Sequence, residues 1–224
     1  MNSSLISFRN SNVKVNTAKK RKLASTLWLE RQLNDPYVKQ AKIDGYRSRA
    51  AYKLLEIDDK FKILKRGHKV IDLGAAPGGW SQVAAGRTKG GRVFAFDLLV
   101  MPEISGVKFT QLDFLAEDSR TKITTLTGGK VDVVLSDMAT NSCGNPQVDH
   151  MRIMDLCEQV FDFTKNILFP NGSFIIKILR GGGDHQLLIL IKKYFTTVKN
   201  FKPQSSRRDS AEMYLVATGF KLSI

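Results

Sequence analysis

The segment VIDLGAAPGGWSQ, residues 70–82, places a glycine-rich turn directly after an apolar run that predicts a β-strand. A phosphate-binding loop would need Lys and then Ser or Thr after its last glycine, but Gly79 is followed by Trp80. A dinucleotide fingerprint, G-x-G-x-x-G, would need a second glycine where Ala76 stands. The third interpretation is a nucleoside ligand packed against bare backbone, and S-adenosylmethionine is the common ligand of that kind.

Aspartates end three later predicted strands at the edge where the glycine turn lies. Asp97 follows Gly78 by 19 residues, and a carboxylate at that point can accept both hydroxyls of a ribose. Asp113 ends the next strand and can accept a hydrogen bond from an adenine amino group, and Asp137 ends the strand after that. Any one of them could cap a helix instead, but three beside the glycine turn favour a ligand site.

A lysine interrupts the apolar strand FIIKIL at position 177. Because burial of an isolated ammonium group is costly, Lys177 must either be paired or lose its charge. The alternative is a lysine at the strand end whose amine reaches solvent. A buried, paired lysine at this edge would be a candidate base.

Predicted strands alternate with predicted helices over most of the chain. The strands are 69–74, 91–99, 107–114, 130–138, 172–179, 196–203 and 213–222. The helices between them are 79–88, 116–127, 149–168 and 184–195. This order predicts an α/β fold with a Rossmann-like, seven-stranded, mostly parallel, doubly wound sheet. Because no helical pattern separates the last two strands, we expect them to form an antiparallel pair at the sheet edge.

Two helical patterns precede the sheet. The first starts at Ser25, a candidate N-cap, and is broken and restarted at Asp35 and Pro36. The second, RSRAAYKLLEIDDKF, has the apolar spacing of an amphipathic helix. We therefore predict a basic, partly flexible tail over residues 1–24 and a single domain over residues 25–224 that begins with a helical extension.

The charge of the chain indicates a polyanionic partner. The 224 residues carry a net charge of +14, and residues 1–70 hold 17 Lys and Arg against 6 Asp and Glu, a net +11. Such a basic face is typical of nucleic-acid binding, although a solvated basic surface or a membrane-surface patch is the alternative. The two cysteines and three histidines have no metal-ligand spacing, so we expect two reduced thiols, no metal and a cytoplasmic location.

Six segments in order resemble successive motifs of the FtsJ family of ribose 2′-O-methyltransferases. They are RSRAAYKLLEI, VIDLGAAPGGWSQ, DLLVM, LSDMATN, GSFIIKIL and KPQSSR. The similarity runs from about Trp28 to Phe220 and is strongest to the bacterial members that methylate a uridine of large-subunit ribosomal RNA. It implies a class I methyltransferase fold, S-adenosyl-L-methionine as cofactor and ribosomal RNA as substrate, either naked or in the assembled large subunit.

The resemblance also implies residue roles. The catalytic tetrad of the family falls on Lys53, Asp137, Lys177 and Glu212. The cofactor site falls on Gly78, Trp80, Asp97, Asp113 and Asp137. Lys177 would be the base and Asp137 would orient it, while Lys53 and Glu212 would position the target ribose.

Four arginines close to the tetrad in sequence are candidate contacts for RNA phosphates. They are Arg47 and Arg49 on the predicted helix that also carries Lys53, and Arg207 and Arg208 in the loop before Glu212. The alternative is that they form surface ion pairs. We expect a monomer with no membrane contact.

Two other functions remain open from sequence. One is methylation of a different acceptor: the ribose of another RNA, such as transfer RNA or a messenger cap, a base nitrogen, or a protein. The segment SDMATN lacks the Asn/Asp-Pro-Pro-aromatic loop that methylation of base nitrogens often uses. The other is a non-catalytic RNA-binding factor in ribosome assembly.

Overall fold

The computed structural model describes residue 14 and residues 23–140, 143–180 and 184–222. Most of the predicted basic tail, including the run KKRK, lies outside the described residues. None of the helices in the described part of the chain is long and apolar enough to cross a membrane.

Seven strands form one sheet in the order β3-β2-β1-β4-β5-β7-β6. The strands are β1 Lys69–Leu73, β2 Arg92–Asp97, β3 Val107–Gln111, β4 Val131–Ser136, β5 Leu168–Leu179, β6 Phe195–Phe201 and β7 Glu212–Phe220. All neighbours pair in parallel except β7, which is antiparallel to both β5 and β6. The predicted sheet and the antiparallel pairing of its last two strands are confirmed.

Seven helices accompany the strands over the described residues. They are α1 Leu23–Leu33, α2 Pro36–Ile43, α3 Ala50–Phe61, α4 Gly79–Thr88, α5 Ser119–Thr127, α6 Pro146–Ile167 and α7 Asp184–Tyr194. Helices α3 and α4 pack over one face of the sheet, in a core that includes Leu54, Val83 and Leu135. The core on the other face is filled from α6 and α7, with Phe161 and Ile191 among its buried residues. Both faces are therefore covered, as apolar parallel strands require.

Several helix boundaries differ from the sequence prediction by one to three residues. Helix α3 begins at Ala50, after the segment RSR with which the predicted helix opens, and α5 begins at Ser119 rather than at residue 116. Helix α1 begins at Leu23, so Ser25 lies inside the helix and does not cap it. Helix α6 begins at Pro146, three residues earlier than predicted, because the side chain of Asn145 accepts hydrogen bonds from the backbone amides of Gln147 and Val148. The Asn-Pro pair is a helix-start signal that the apolar periodicity alone does not include.

The strand order reverses between β1 and β4, and such a switch point opens a crevice at the carboxyl ends of parallel strands. Strand β7 runs the other way, so its first residues, rather than its last, reach that same edge. Lys177 of β5 is therefore paired in register with Tyr214 of β7, and Leu179 with Glu212. The fold thus brings the end of β5 and the start of β7 together at the switch point.

Candidate active site

A cavity of about 460 Å³ opens at the switch point. Its wall includes the glycine turn after β1 and the carboxyl ends of β2 and β4, with Asp97, Asp113 and Asp137 among the lining residues. The three aspartates that the sequence singled out therefore surround one space. Their role in binding a cofactor stays a prediction.

Gly74 lets the turn after β1 pass close to the turn after β4. Its φ of +76° lies in the left-handed region. A Cβ atom at this position would lie 2.6 Å from the side chain and 3.0 Å from the backbone of Met138. Any other residue would be strained and would push Met138 into the cavity.

Asp97 and Asp113 are held by backbone amides. Asp97 accepts from the amide of Ala76 at 2.9 Å and from that of Leu99 at 2.7 Å, so it also fixes the glycine turn. Asp113 accepts from the amide of Leu115 at 2.9 Å. Each carboxylate is thereby oriented toward the cavity, and each oxygen has a further lone pair for a ligand hydroxyl or amino group.

Gly78 and Trp80, which the resemblance assigns to the cofactor, lie outside the cavity lining. Gly78 is the N-cap residue of α4, with a φ of +111°. The indole of Trp80 is only 2% exposed, donates to the backbone oxygen of Ala50 at 2.9 Å and packs on Tyr214 with ring centres 5.5 Å apart. In this structure Trp80 packs between α3 and the sheet, on Tyr214 of β7. Its contact with a cofactor stays a prediction.

Asp72 is a buried carboxyl group that sequence reasoning did not single out. It is fully buried in β1, where one oxygen accepts from Ser81 Oγ at 2.6 Å and the other has no partner among the described residues. Burial, together with the negative charges of Asp137 and Asp97, raises the pKa of Asp72 to about 7, although the Ser81 bond opposes this. The carboxyl group of Asp72 stays protonated in the folded protein up to about pH 7, whereas in the unfolded chain it loses its proton near pH 4. Asp72 therefore lowers the free energy of unfolding as the pH rises from about 4 to about 7.

Replacement of Asp72 with Asn should therefore change the pH dependence of stability. We expect the free energy of unfolding of Asp72→Asn, relative to the native sequence, to rise between pH 4 and pH 8 by up to about 4 kcal/mol. Urea unfolding at a series of pH values measures this difference. A difference that stays constant over the series would contradict the raised pKa of Asp72.

The four side chains of the implied tetrad meet at the mouth of the switch point. The amine of Lys177 lies 3.2 Å from Oδ1 of Asp137 and donates to the backbone oxygen of Asp137 at 2.6 Å. The carboxylate of Glu212 lies between the two lysines, 3.3 Å from Nζ of Lys53 and 3.9 Å from Nζ of Lys177. The side chain of Lys177 is only 6% exposed, so it is a paired, buried lysine rather than one that reaches solvent.

Tyr214 is a fifth member of this group that sequence reasoning missed. Its hydroxyl donates to Oδ1 of Asp137 at 2.7 Å and accepts from Nζ of Lys53 at 3.0 Å. The tyrosine thus joins the two halves of the tetrad. The available signal was the register of the last strand pair, which sets Tyr214 directly beside Lys177.

Two pKa shifts follow from this network. Burial alone would raise the pKa of Asp137, but Lys177, Lys53 and the hydrogen bond from Tyr214 together hold it below its ordinary value. Burial and the neighbouring Asp137 raise the pKa of Tyr214 well above its ordinary value. Asp137 is therefore ionised and Tyr214 is neutral near pH 7, so the tyrosine donates and the aspartate accepts.

Three of the four arginines proposed for RNA are held by intramolecular acceptors. Arg47 donates to the backbone oxygens of Pro102 and Glu103, each at 2.6 Å. Arg49 and Arg207 both face Asp35. Arg208 is exposed, and its backbone oxygen accepts from Lys202.

The arrangement defines a class of protein. A nucleoside-sized cavity with acidic strand ends lies beside two buried lysines paired with carboxylates, on a doubly wound sheet whose last strand is antiparallel. This combination is that of an α/β methyltransferase.

Comparisons with known proteins identify the family. Residues 46–220 match the FtsJ-like methyltransferase family, and the chain belongs to it. The chain is 55% identical over 213 residues to the ribosomal RNA large subunit methyltransferase E of Bradyrhizobium diazoefficiens, covering 93% of each protein. It is 53% identical over 220 residues to the protein of the same name from Parvibaculum lavamentivorans, covering 93% of this chain and 87% of that one.

A solved structure agrees with these matches. The crystal structure of a ribosomal RNA methyltransferase from Plasmodium falciparum superposes with a TM-score of 0.70 at 32% identity, covering 78% of this chain and 98% of that one. The predicted family, fold class and methyltransferase activity are confirmed.

Proposed function

We propose that this methyltransferase transfers a methyl group from S-adenosylmethionine to the 2′-hydroxyl of a uridine ribose in large-subunit ribosomal RNA. The observation that carries the proposal is the convergence of Lys53, Asp137, Lys177 and Glu212 beside the cavity. The relatives from Bradyrhizobium diazoefficiens and Parvibaculum lavamentivorans, both named ribosomal RNA large subunit methyltransferase E, support the choice of substrate.

The residues of the cavity fit the proposed cofactor. Asp97 offers carboxylate oxygens at the position of a ribose, and Asp113, on the neighbouring strand end, can accept from an adenine amino group. The small residues Gly74 and Ala76 of the turn also line the cavity, where the amino-acid part of the cofactor could lie against them. When bound, S-adenosylmethionine supplies a methyl group already activated by a positively charged sulfur.

The protein must then align the acceptor and remove its proton. In this proposal Lys177, in its neutral form, accepts the proton of the 2′-hydroxyl. Asp137 holds the amine of Lys177 through its carboxylate and its backbone oxygen, which fixes the direction of the amine. Lys53 and Glu212, linked to Asp137 through Tyr214, hold the ribose in line with the methyl group.

Transfer of labelled methyl groups from S-adenosylmethionine to purified RNA tests this proposal. Ribosomal RNA, assembled large subunits, transfer RNA and capped messenger RNA are offered separately, and nuclease digestion locates the label. Label in a 2′-O-methyluridine of large-subunit RNA is expected. Label on transfer RNA or the cap alone would favour the alternative substrates, and no label on any RNA would favour a non-catalytic factor.

Asp97 should determine cofactor affinity. We expect Asp97→Ala to raise the Kd for S-adenosylmethionine at least about tenfold, because the charged acceptor for the ribose hydroxyls is lost. Isothermal titration calorimetry measures this, with Asp155→Ala, an exposed aspartate on α6, as the matched control. An unchanged Kd would remove Asp97 from the ribose role.

The proposed RNA surface combines direct and indirect roles. Arg208 is exposed and free to reach a phosphate, whereas Arg47, Arg49 and Arg207 would contact RNA only with the guanidinium edges that their intramolecular partners leave open. We also propose that the protein is a monomer and that it acts in the cytoplasm. Its substrate is either the RNA alone or the RNA within the large ribosomal subunit.

A further inference from the structure

Asp35 lies where three segments of the chain meet. It caps α2, since one carboxylate oxygen accepts from the backbone amide of Tyr37 at 3.0 Å. The other oxygen binds the guanidinium of Arg49 and lies 3.6 Å from Nε of Arg207. The side chain of Asp35 is only 6% exposed, so these contacts are made largely out of water. We call Asp35, Arg49 and Arg207 the Asp35 clasp.

The clasp joins the two elements that deliver one pair of the tetrad. Arg49 directly precedes α3, which presents Lys53 one turn later, and Arg207 lies in the β6–β7 loop, residues 202–211, which leads into Glu212. A second guanidinium nitrogen of Arg49 donates to the backbone oxygen of Ser205 in that loop.

Helix α3 holds the same loop at a second point. The carboxylate of Glu56 accepts from the backbone amides of Gln204 and Ser205, the latter at 2.9 Å. The loop is therefore bonded to α3 at two points: at Arg49, directly before the helix, and at Glu56, in the middle of the helix. The Asp35 clasp differs from these hydrogen bonds because it places one negative charge between two guanidinium groups.

The two guanidinium groups depend on the shared carboxylate. The side chain of Arg49 is 14% exposed, and its burial together with the nearby charge of Arg207 lowers the pKa of Arg49. Without the carboxylate, two like charges would face each other with little water between them. The loop and the start of α3 would then be pushed apart.

We propose that Asp35 is a positioning residue for methyl transfer, because it holds α3 and the β6–β7 loop in the register in which Lys53 meets Glu212. This inference rests on the proposed function. It adds a residue that lies outside residues 46–220, the part of the chain that matches the family. The cavity wall is built from the other strand ends, so the cofactor site does not depend on the clasp.

Asp35→Asn isolates the charge from the helix cap. An Asn side chain caps a helix as well as Asp does, so the bond to Tyr37 is kept while the charge is lost. We expect kcat to fall about tenfold, since a small displacement of positioning groups is costly in rate. The Kd for S-adenosylmethionine should stay within about twofold and the KM for RNA should not rise, because two arginines are released.

Hydrogen exchange of the loop provides a readout that is independent of activity. Amides of residues 202–211 should exchange faster in Asp35→Asn, while amides of the glycine turn, residues 74–79, should be unchanged. The matched control is Asp162→Asn on α6, which removes the charge of an exposed aspartate that forms an ion pair with Lys165. That control should leave kcat and exchange in the loop unaltered.

Three outcomes would overturn the inference. They are an unchanged kcat, a loss of kcat matched by equal weakening of cofactor binding, and unchanged exchange in the loop. If Asp35→Asn does not fold, Arg207→Gln must show the faster loop exchange instead, because it removes the loop's own contact with Asp35 while Arg49 stays paired with that carboxylate. If the native chain transfers no methyl group, the proposed function fails, and the exchange data still decide whether the clasp holds the loop.

Discussion

Replacement of Lys177 with Met is expected to lower kcat for methyl transfer by about 1000-fold, the middle of the range for loss of a general base. Met keeps the length of the buried stem but has no amine to accept the proton of the 2′-hydroxyl. The Kd for S-adenosylmethionine should change little, because Lys177 is not among the residues that line the cavity. Single-turnover methyl transfer and calorimetric titration measure the two quantities separately.

The control for this variant is Lys122→Met, an exposed lysine on α5 that pairs with Asp118. It should retain the native rate. A kcat of Lys177→Met within a few-fold of the native value would show that another group removes the proton. A parallel loss of cofactor binding would instead indicate that the strand end has collapsed.

Asp137→Asn is expected to damage both rate and stability. The carboxylate holds the amine of Lys177 at 3.2 Å and accepts from Tyr214 at 2.7 Å. An amide in its place leaves the amine of Lys177 with only the more distant carboxylate of Glu212, at 3.9 Å. We expect kcat to fall by at least about 100-fold and the free energy of unfolding to fall by about 3 kcal/mol near pH 7. Urea unfolding and single-turnover transfer measure the two effects.

The stability loss of Asp137→Asn should depend on pH in a defined direction. Since the pKa of Asp137 is held below its ordinary value, its ionised form stabilises the native state above about pH 4, and this contribution is lost as the pH falls through the lower, folded value. The native protein and the variant should therefore converge in stability toward low pH. A gap that does not narrow at all as the pH falls below about 4 would count against the charge network.

The sequence was sufficient to identify candidate site residues where a charged side chain stands in or at the end of an apolar strand. Lys177 stands out because an ammonium is costly in an apolar strand, and Asp97, Asp113 and Asp137 stand out because they end strands that share an edge. Such residues can be recognised without knowing their partners. The sheet could also be predicted, since helical and strand periodicities alternate along the chain.

The remainder of the site depends on contacts between distant segments. Tyr214 has the properties of an ordinary core residue in its own strand, and only the pairing with β5 reveals its hydroxyl between Lys53 and Asp137. The arginines could not be resolved from sequence, because a guanidinium suits an RNA phosphate and an internal carboxylate equally well. Asp35 supplies that carboxylate from a helix cap 14 residues before Arg49.

The placement of β7 between β5 and β6 has a consequence for the newly made protein. During synthesis, the strand that carries Glu212 and Tyr214 emerges after every other strand of the sheet, and until it inserts, β6 has no neighbour to join. A nascent chain can therefore already fold the nucleoside crevice while Lys177 still lacks its full set of partners. Competence for methyl transfer should therefore be acquired only after β7 has emerged, in one step with closure of the sheet.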